Sequence, residues 1–553
     1  MREISTDILI LGSGGAGLFA ALHAHKADPS LSITVAVKGL LGKCGCTRMV
    51  QGGYNVALAK EDSVERHFMD TIEGGKWLPD QDLAWKLVTL AVERIKELEN
   101  ELGCFFDRTV HKGDLTGIEI INRLAEQVWA RNIARLEEHR AVELIKNAPG
   151  NAIAGVVFID MRTGEYLFVR ARAVLLGTGG GPTMYKYHTP SGEKSCDGLA
   201  MALRAGLPLR DMEMVQFHPT GLYAGAHTRM TGTVLEEGLR GSGGYLLNGA
   251  RQRFMPKYDS RAERATRDVV SRAMFAEIRS GNTTPNGGLY ISMAHLNQDL
   301  VKKQFRGMVE RCADCGFDLA GGLVEVVPTA HYMMGGVEFN PDCSTALQGL
   351  FVAGEDAGGV HGANRLGGNG VANSTVFGAV AGDTMAQWVS RGASFSEPDR
   401  AGIEQSVSEC ERPFNSGTTA HGSLEPLREH LYETMWEKAG IIRDAAGLRS
   451  GLSELAAIES ELNACGIADT GRAFNLSWHD WLNLKSLAQT SRVVAEAALA
   501  RTDSRGAHYR EDFPDTGPLD TSAYSSARML DSGLAIEMKR VAFTRVRPGS
   551  SLV

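Results

Sequence analysis

The amino terminus constrains the fold more than any other stretch of the chain. Asp7 to Leu11 (DILIL) is a continuous apolar run, Gly12-Ser13-Gly14-Gly15-Ala16-Gly17 follows it, and LFAALHAHKA continues with helical character. Strand, glycine turn and helix in this order make the opening unit of a dinucleotide-binding sheet. The glycines let backbone approach a pyrophosphate, whose charge then meets the free N–H groups and positive end of the helix. The expected class is therefore α/β, with a Rossmann-like domain at its centre.

Further apolar strands read at Ile33–Val37 (ITVAV), Ala173–Leu176 (AVLL) and Gly349–Val352 (GLFV). The last two run into GTGGG and AGE, so they are expected to end at the same cofactor edge as the first. The nucleotide domain is thus interrupted in sequence. Lys38 stands at the end of the second strand, where an acidic residue usually binds ribose, so pattern alone leaves the ribose contact open.

A chain of 553 residues needs more than one such domain. The expected division is residues 1–236 and 346–415 for the two parts of the nucleotide domain, with 237–345 as an inserted α+β capping domain. Residues 416–506 are expected to form a helical bundle, from the three-to-four apolar spacing of EPLREHLYETMWEKAGIIRD and WHDWLNLKSLAQTSRVVAEAALART. Residues 507–553 read as a polar tail wrapping the other domains.

A net charge of −8 gives no basic field for nucleic acid or an anionic membrane. No run of 18 apolar residues occurs and the first residues lack a basic leader, so the expected location is cytoplasmic. Nine cysteines, an odd number, read as reduced thiols. Cys312-Ala-Asp-Cys315 is an isolated pair, and no metal is expected there. Met333-Met334 reads as core packing.

Five further segments carry more specific information: Cys46-Thr47-Arg-Met-Val-Gln51-Gly52-Gly53, Gln216-Phe-His218-Pro-Thr220-Gly221, Thr266-Arg267-Asp268, His331-Tyr-Met-Met-Gly-Gly336 and His361-Gly-Ala-Asn-Arg365-Leu-Gly-Gly-Asn369. In order and spacing the chain resembles the flavoprotein subunit of succinate dehydrogenase and fumarate reductase, the family that also holds L-aspartate oxidase. The likeness extends to Ser504-Arg505-Gly-Ala-His508, Asp512-Phe-Pro514 and the closing Phe543-Thr-Arg-Val-Arg-Pro548.

That resemblance implies FAD along the glycine-rich domain, a mobile cap, and a small carboxylate substrate between them. Hydride would pass between flavin N5 and a carbon beside the carboxylate. Gly12, Gly14, Gly15, Ala16 and Gly17 would hold the pyrophosphate. Lys38, Cys46, Thr47, Gln51, Gly52 and Gly53 would line the flavin, and Thr178, Gly179, Asp197, Glu355, Asn369, Gly370 and Val371 would complete the cofactor site. The family also has a lysine at the position of Lys38.

In glycine-flanked loops, Arg365, His218 and His331 would bind and polarise one carboxylate. Arg267 would transfer the proton, with Glu237 as relay, a role the resemblance supplies and the spacing does not. An iron–sulfur subunit would be the electron partner.

Three departures stand out. Cys46 occupies the position of the histidine that bonds FAD in the respiratory enzymes, so the expected FAD is non-covalent. Glu236 replaces a threonine that binds the substrate's second carboxylate, and would repel one. The stretch from Phe106 to Ile118 is shorter than in the respiratory enzymes. The expected activity is an FAD-dependent oxidoreductase of fumarate reductase/succinate dehydrogenase type. Its rivals are an amino-acid oxidase like L-aspartate oxidase and a flavin electron-transfer subunit with no organic substrate of its own.

Overall fold

The computed structural model describes residues 1–51, 53–102, 104, 115–225, 228–415 and 424–553. Gly52 and most of the Phe106–Ile118 stretch lie outside them.

The central sheet runs in the order Ala134–Glu137, Ile33–Val37, Arg2–Leu11, Tyr166–Leu176, Ile153–Asp160 and His139–Lys146, with Leu350–Val352 also pairing with Tyr166–Leu176. The strands read from sequence are parallel neighbours: Leu11 aligns with Ala36 and Leu176, and Val352 aligns with Leu176. Their carboxyl ends therefore share one edge, where open α/β sheets bind ligands. Ile8, Leu9, Ile10, Val174 and Leu175 are fully buried, as strands covered on both faces must be. Helices Gly15–Ala27 and Asn369–Ser390 pack together on one face, with Ala16, Ala20 and Ala24 and glycines allowing close approach.

A second, antiparallel sheet joins Val215–Leu222, Val324–Met333, Leu289–Ser292 and Tyr245–Leu247. It draws in Val215–Leu222, which lies on the amino side of the expected boundary at 237. Hydrogen bonding across this strand, which a linear reading of charge and turns does not register, ties it to the inserted segment.

Helices Arg400–Asn415, Leu424–Lys438, Ala445–Ala464 and Leu476–Ala500 form the bundle, so it begins before residue 416. Trp478 and Trp481 fill its core and satisfy their indole N–H groups on the carbonyls of Cys410 and Leu462, at 2.8 and 2.9 Å. Asp444 and Asn475 cap the last two helices.

The tail does more than wrap. Ala523–Leu530 and Gly533–Arg540 form a hairpin that adds to the short strand Leu209–Arg210. A buried ion pair fastens it to the bundle: Arg501 binds Glu213 at 2.6 Å, and Ser525 Oγ donates to the same carboxylate at 2.5 Å.

Candidate active site

One cavity of about 1130 Å³ runs from the carboxyl edge of the parallel sheet to the inserted segment. At its sheet end the glycines divide into two kinds. Gly12 has φ +106, and a Cβ there would strike the Gly177 carbonyl; a Cβ on Gly17 would strike the Gly12 carbonyl. These two permit the strand–turn–helix packing itself. Gly14 and Gly15 differ, since a Cβ on either meets no described atom closer than 3.5 and 3.2 Å. They leave backbone open to the cavity at a helix start that has no side-chain cap. Thr47 Oγ1 accepts from the Gly15 N–H at 3.1 Å, and the buried Ser13 hydroxyl has no partner among the described residues. An anionic pyrophosphate is the group such a cradle fits.

Further along, Lys38 Nζ lies 2.9 Å from Asp197 Oδ2, and Arg140 Nη2 donates to Oδ1 at 2.7 Å. Ser486 and Asn483, from the long bundle helix, reach the same group: Ser486 donates to Asp197 and Asn483 accepts from Lys38 and Arg140. Burial pulls the Lys38 ammonium down to about 8 against the opposing pull of Asp197. Burial alone would raise Asp197, but Arg140 and then Lys38 hold it below the ordinary carboxylate range. Burial pushes Glu355 up to about 7, while the Met333 and Gly181 N–H groups that donate to it act in the other direction.

At the far end, both histidines sit on paired strands rather than in loops, where the sequence reading had put them. His218 pairs with Thr329, and the register slips on either side of Thr329–Ala330. Pro219 and Pro328 fall at the first slip, where neither can donate a ladder bond. His331 is the extra residue at the second, between Ala330, opposite Phe217, and Tyr332, opposite Gln216. A bulge re-aims a side chain in this way. The two rings meet edge to face at 5.4 Å, and His331 Nδ1 lies 2.9 Å from Thr189 Oγ1. Burial first, then Arg267 and other arginines, drives both imidazoles well below their ordinary range, so they are neutral at physiological pH.

Arg365 lies in the turn before the Asn369–Ser390 helix, 7% exposed, its guanidinium 4.4 Å over the Tyr332 ring. Among the described residues it makes no ion pair; Nε has no partner and Nη1 reaches only the Leu366 carbonyl, at 3.4 Å. Burial and the nearby Arg267 pull it down to about 10, still protonated at neutral pH. Arg267 opens the helix Arg267–Arg279 and bonds to Glu237 Oε2 through Nη2 at 2.7 Å and Nε at 3.1 Å, and to Gln216 Oε1 at 3.0 Å.

His218, His331, Arg267, Arg365, Glu236 and Glu237 all line this one cavity, as do Gly12, Gly14, Gly15, Ala16, Lys38, Cys46, Thr47, Gln51, Gly53, Thr178, Gly179, Asp197, Glu355, Gly370 and Val371. Two expected cofactor residues do not reach it. Gly17 is packed beneath Gly12, and Asn369 is fully buried behind the site, bonded to Asn55, His67 and Thr71. Sequence reasoning also missed Arg240, 2% exposed, whose Nη2 donates to Glu237 Oε1 at 2.8 Å. The spacing Glu237-x-x-Arg240 was the available signal. Arg140, Arg311 and Lys194, whose Nζ donates to the Thr178 carbonyl at 2.8 Å, also line the cavity and carried no local signal at all.

The sequence matches the family described as FAD binding domain over residues 7–371, and that described as fumarate reductase flavoprotein C-term over 428–551. One subunit of the CoM/CoB fumarate reductase of Methanothermobacter marburgensis is 38% identical, with 93% of this chain aligned to 95% of that one. The fumarate reductase flavoprotein subunit of Escherichia coli is 32% identical, over 93% and 89%. The chain belongs to the fumarate reductase and succinate dehydrogenase flavoprotein family. A solved point variant of the E. coli quinol fumarate reductase protein FrdA superposes with a TM-score of 0.93 at 30% identity, over 100% and 99% of the two chains. As a member of this family the protein is an FAD-dependent oxidoreductase of the fumarate reductase/succinate dehydrogenase type. No helix among the described residues is long and apolar enough to cross a membrane.

Proposed function

We propose that the protein reduces, or forms by the reverse reaction, the double bond of a small carboxylic acid held between Arg365 and the histidine pair. The observation that carries this reading is Arg365: a buried guanidinium without a carboxylate partner among the described residues calls for an anionic ligand. Neutral His218 and His331 donate to the same carboxylate without adding charge, and together the three groups draw electron density from the adjacent carbon. Bound FAD supplies the hydride donor or acceptor. Gly12, Gly14, Gly15, Ala16, Lys38, Thr47, Gln51, Gly53, Thr178, Gly179, Asp197, Glu355, Gly370 and Val371 would hold it, without a covalent bond to Cys46.

Arg267 transfers the matching proton to or from the substrate carbon. A free arginine is too weak an acid for this task. The Glu237 carboxylate resupplies it: each oxygen is hydrogen-bonded to a different guanidinium, so a proton taken from Arg240 can replace the one Arg267 gives up. The inserted segment 237–345, with its partner strand Val215–Leu222, acts as the cap that excludes water. By likeness to relatives named as flavoprotein subunits, an iron–sulfur subunit exchanges the electrons, and association with a membrane would be peripheral, through that partner.

A second reading rests on Glu236, whose carboxylate lines the cavity and would favour an ammonium group, as in oxidation of an amino dicarboxylate. Anaerobic reduction of the flavin followed by addition of fumarate tests the first reading, with rapid reoxidation expected. Reoxidation by no C4 acid, with hydrogen peroxide formed from L-aspartate, would replace it by the second.

A further inference from the structure

Arg311 enters the same cavity from the helix Arg306–Asp314 of the inserted segment. That helix is anchored by buried Met308 and Cys312, which fixes the direction in which Arg311 emerges. Its Nη1 donates to the Val234 carbonyl at 3.2 Å. The Gln51 amide, oriented so that both of its ends are satisfied, accepts from Nη2 at 3.3 Å and also from Nη1. Both anchors are neutral oxygens, and Arg311 makes no ion pair with a carboxylate among the described residues.

Two residues beyond Val234 stands Glu236, whose Oε1 folds back to 2.7 Å from where a Gly238 Cβ would lie. Arg311 is therefore held along the segment that presents Glu236 to the cavity. The guanidinium groups of Arg267, Arg311 and Arg365 all belong to residues lining this cavity, three cations that suit an anionic substrate.

We propose that Arg311 is the residue that selects a second anionic group on the substrate, offsetting the repulsion Glu236 would otherwise exert. This rests on the reading of Arg365 and the histidines as the site of the first carboxylate. Because Arg311 comes from the inserted segment and Gln51 from the nucleotide domain, the contact also ties recognition of the distal carboxylate to the joining of the two units. Arginine suits the task, since its planar fork grips a carboxylate with two parallel N–H donors.

The test compares fumarate with crotonate, which keeps the double bond and one carboxylate and loses the other. The readout is the ratio of kcat/KM for the two acids, measured as reoxidation of the reduced flavin, for the wild type, Arg311→Met and Arg311→Lys. Arg311→Met is expected to lower the fumarate/crotonate ratio roughly 10- to 100-fold, through KM rather than kcat, as loss of a charge-assisted contact does. Arg311→Lys should recover part of it, and Glu236→Gln should raise the ratio. Titration of the oxidised flavin with succinate and butyrate gives the same comparison at equilibrium. An unchanged ratio in Arg311→Met, or an equal loss for both acids, overturns the role of Arg311 while leaving the first-carboxylate site in place. Failure of both acids to reoxidise the wild-type flavin overturns the site reading itself.

Discussion

Glu237 and Arg267 share a single oxygen: Oε2 of the carboxylate accepts from Nη2 at 2.7 Å and from Nε at 3.1 Å. The other oxygen is taken by Arg240, whose second arm donates to the Glu263 carbonyl at 2.7 Å. Burial would raise the Glu237 carboxyl, but Arg267, then Arg240 and Arg365, bring it down to about 2. It is ionised at every working pH, and its ionisation contributes no limb to a pH profile between 5 and 9.

Glu237→Gln keeps the shape of this bridge and removes its capacity to carry a proton. The expected result is a kcat lower by roughly 10²- to 10⁴-fold, with KM shifted by less than about 3-fold. A matching rise in KM with kcat retained would instead make Glu237 a binding residue, and the relay would be wrong.

Legibility in the sequence followed how local each interaction is. The strand–turn–helix at Asp7 to Ala27 was legible because strand, turn and helix are contiguous, and the parallel strands at Ile33 and Ala173 because both run apolar into the cofactor edge. Arg267 and Glu237 were reached through resemblance, since an Arg-Asp step in a charged segment is ordinarily a surface pair. The bulge that aims His331 was invisible, because it depends on register with a strand more than a hundred residues earlier. Arg140 and Ser486 meet Asp197 from well before and far after it in the chain, and Arg311 reaches Gln51 across 260 positions; no spacing rule registers such contacts. The hairpin at Ala523–Arg540 escaped notice because only Ser525, Ser526 and Ala527 in its strands are buried, and its partner strand is two residues long.

The division of the turn glycines gives a second prediction. Gly17→Ala places a methyl group into the Gly12 carbonyl, so the sheet and helix must separate, and little soluble protein should be recovered. Gly14→Val meets no described atom at its Cβ closer than 3.5 Å. That variant should fold and lose FAD. Flavin absorbance per mole of soluble protein decides the matter, and full flavin content in Gly14→Val would refute the placement of the pyrophosphate.

Cys46 lines the cavity, but burial and then Glu355 push its thiol up to about 12. The thiolate is the nucleophilic form, so a covalent cysteinyl flavin is disfavoured. Acid precipitation should leave all of the flavin in the supernatant, and Cys46→Ser should retain full flavin content. Flavin that stays with the precipitated wild-type chain, and is freed in the serine variant, would reverse this conclusion.

The buried histidines set the acid limit of the fold. His218, His331 and His508 lie well below their ordinary range and His361 falls to about 3, all chiefly through burial, with neighbouring arginines adding to it. An unfolded histidine takes up its proton near pH 6.5. Below that pH the unfolded chain binds protons that the folded chain refuses, so stability is lost as pH falls and is level above about 7. Each such histidine contributes up to about 1.4 kcal/mol per pH unit. Thermal unfolding in the absence of substrate should therefore show Tm dropping steeply from pH 6.5 to 5. In His508→Asn the amide oxygen can still accept from Arg443, as His508 Nδ1 does at 2.8 Å, so this variant should show a shallower drop. The same neutrality predicts that KM for the carboxylate substrate shows no histidine limb near pH 6.5, because the imidazoles bind as uncharged donors. A KM that falls tenfold per unit as pH drops through 6.5 would mean that His218 or His331 binds as a cation, and the division of labour with Arg365 would have to be redrawn.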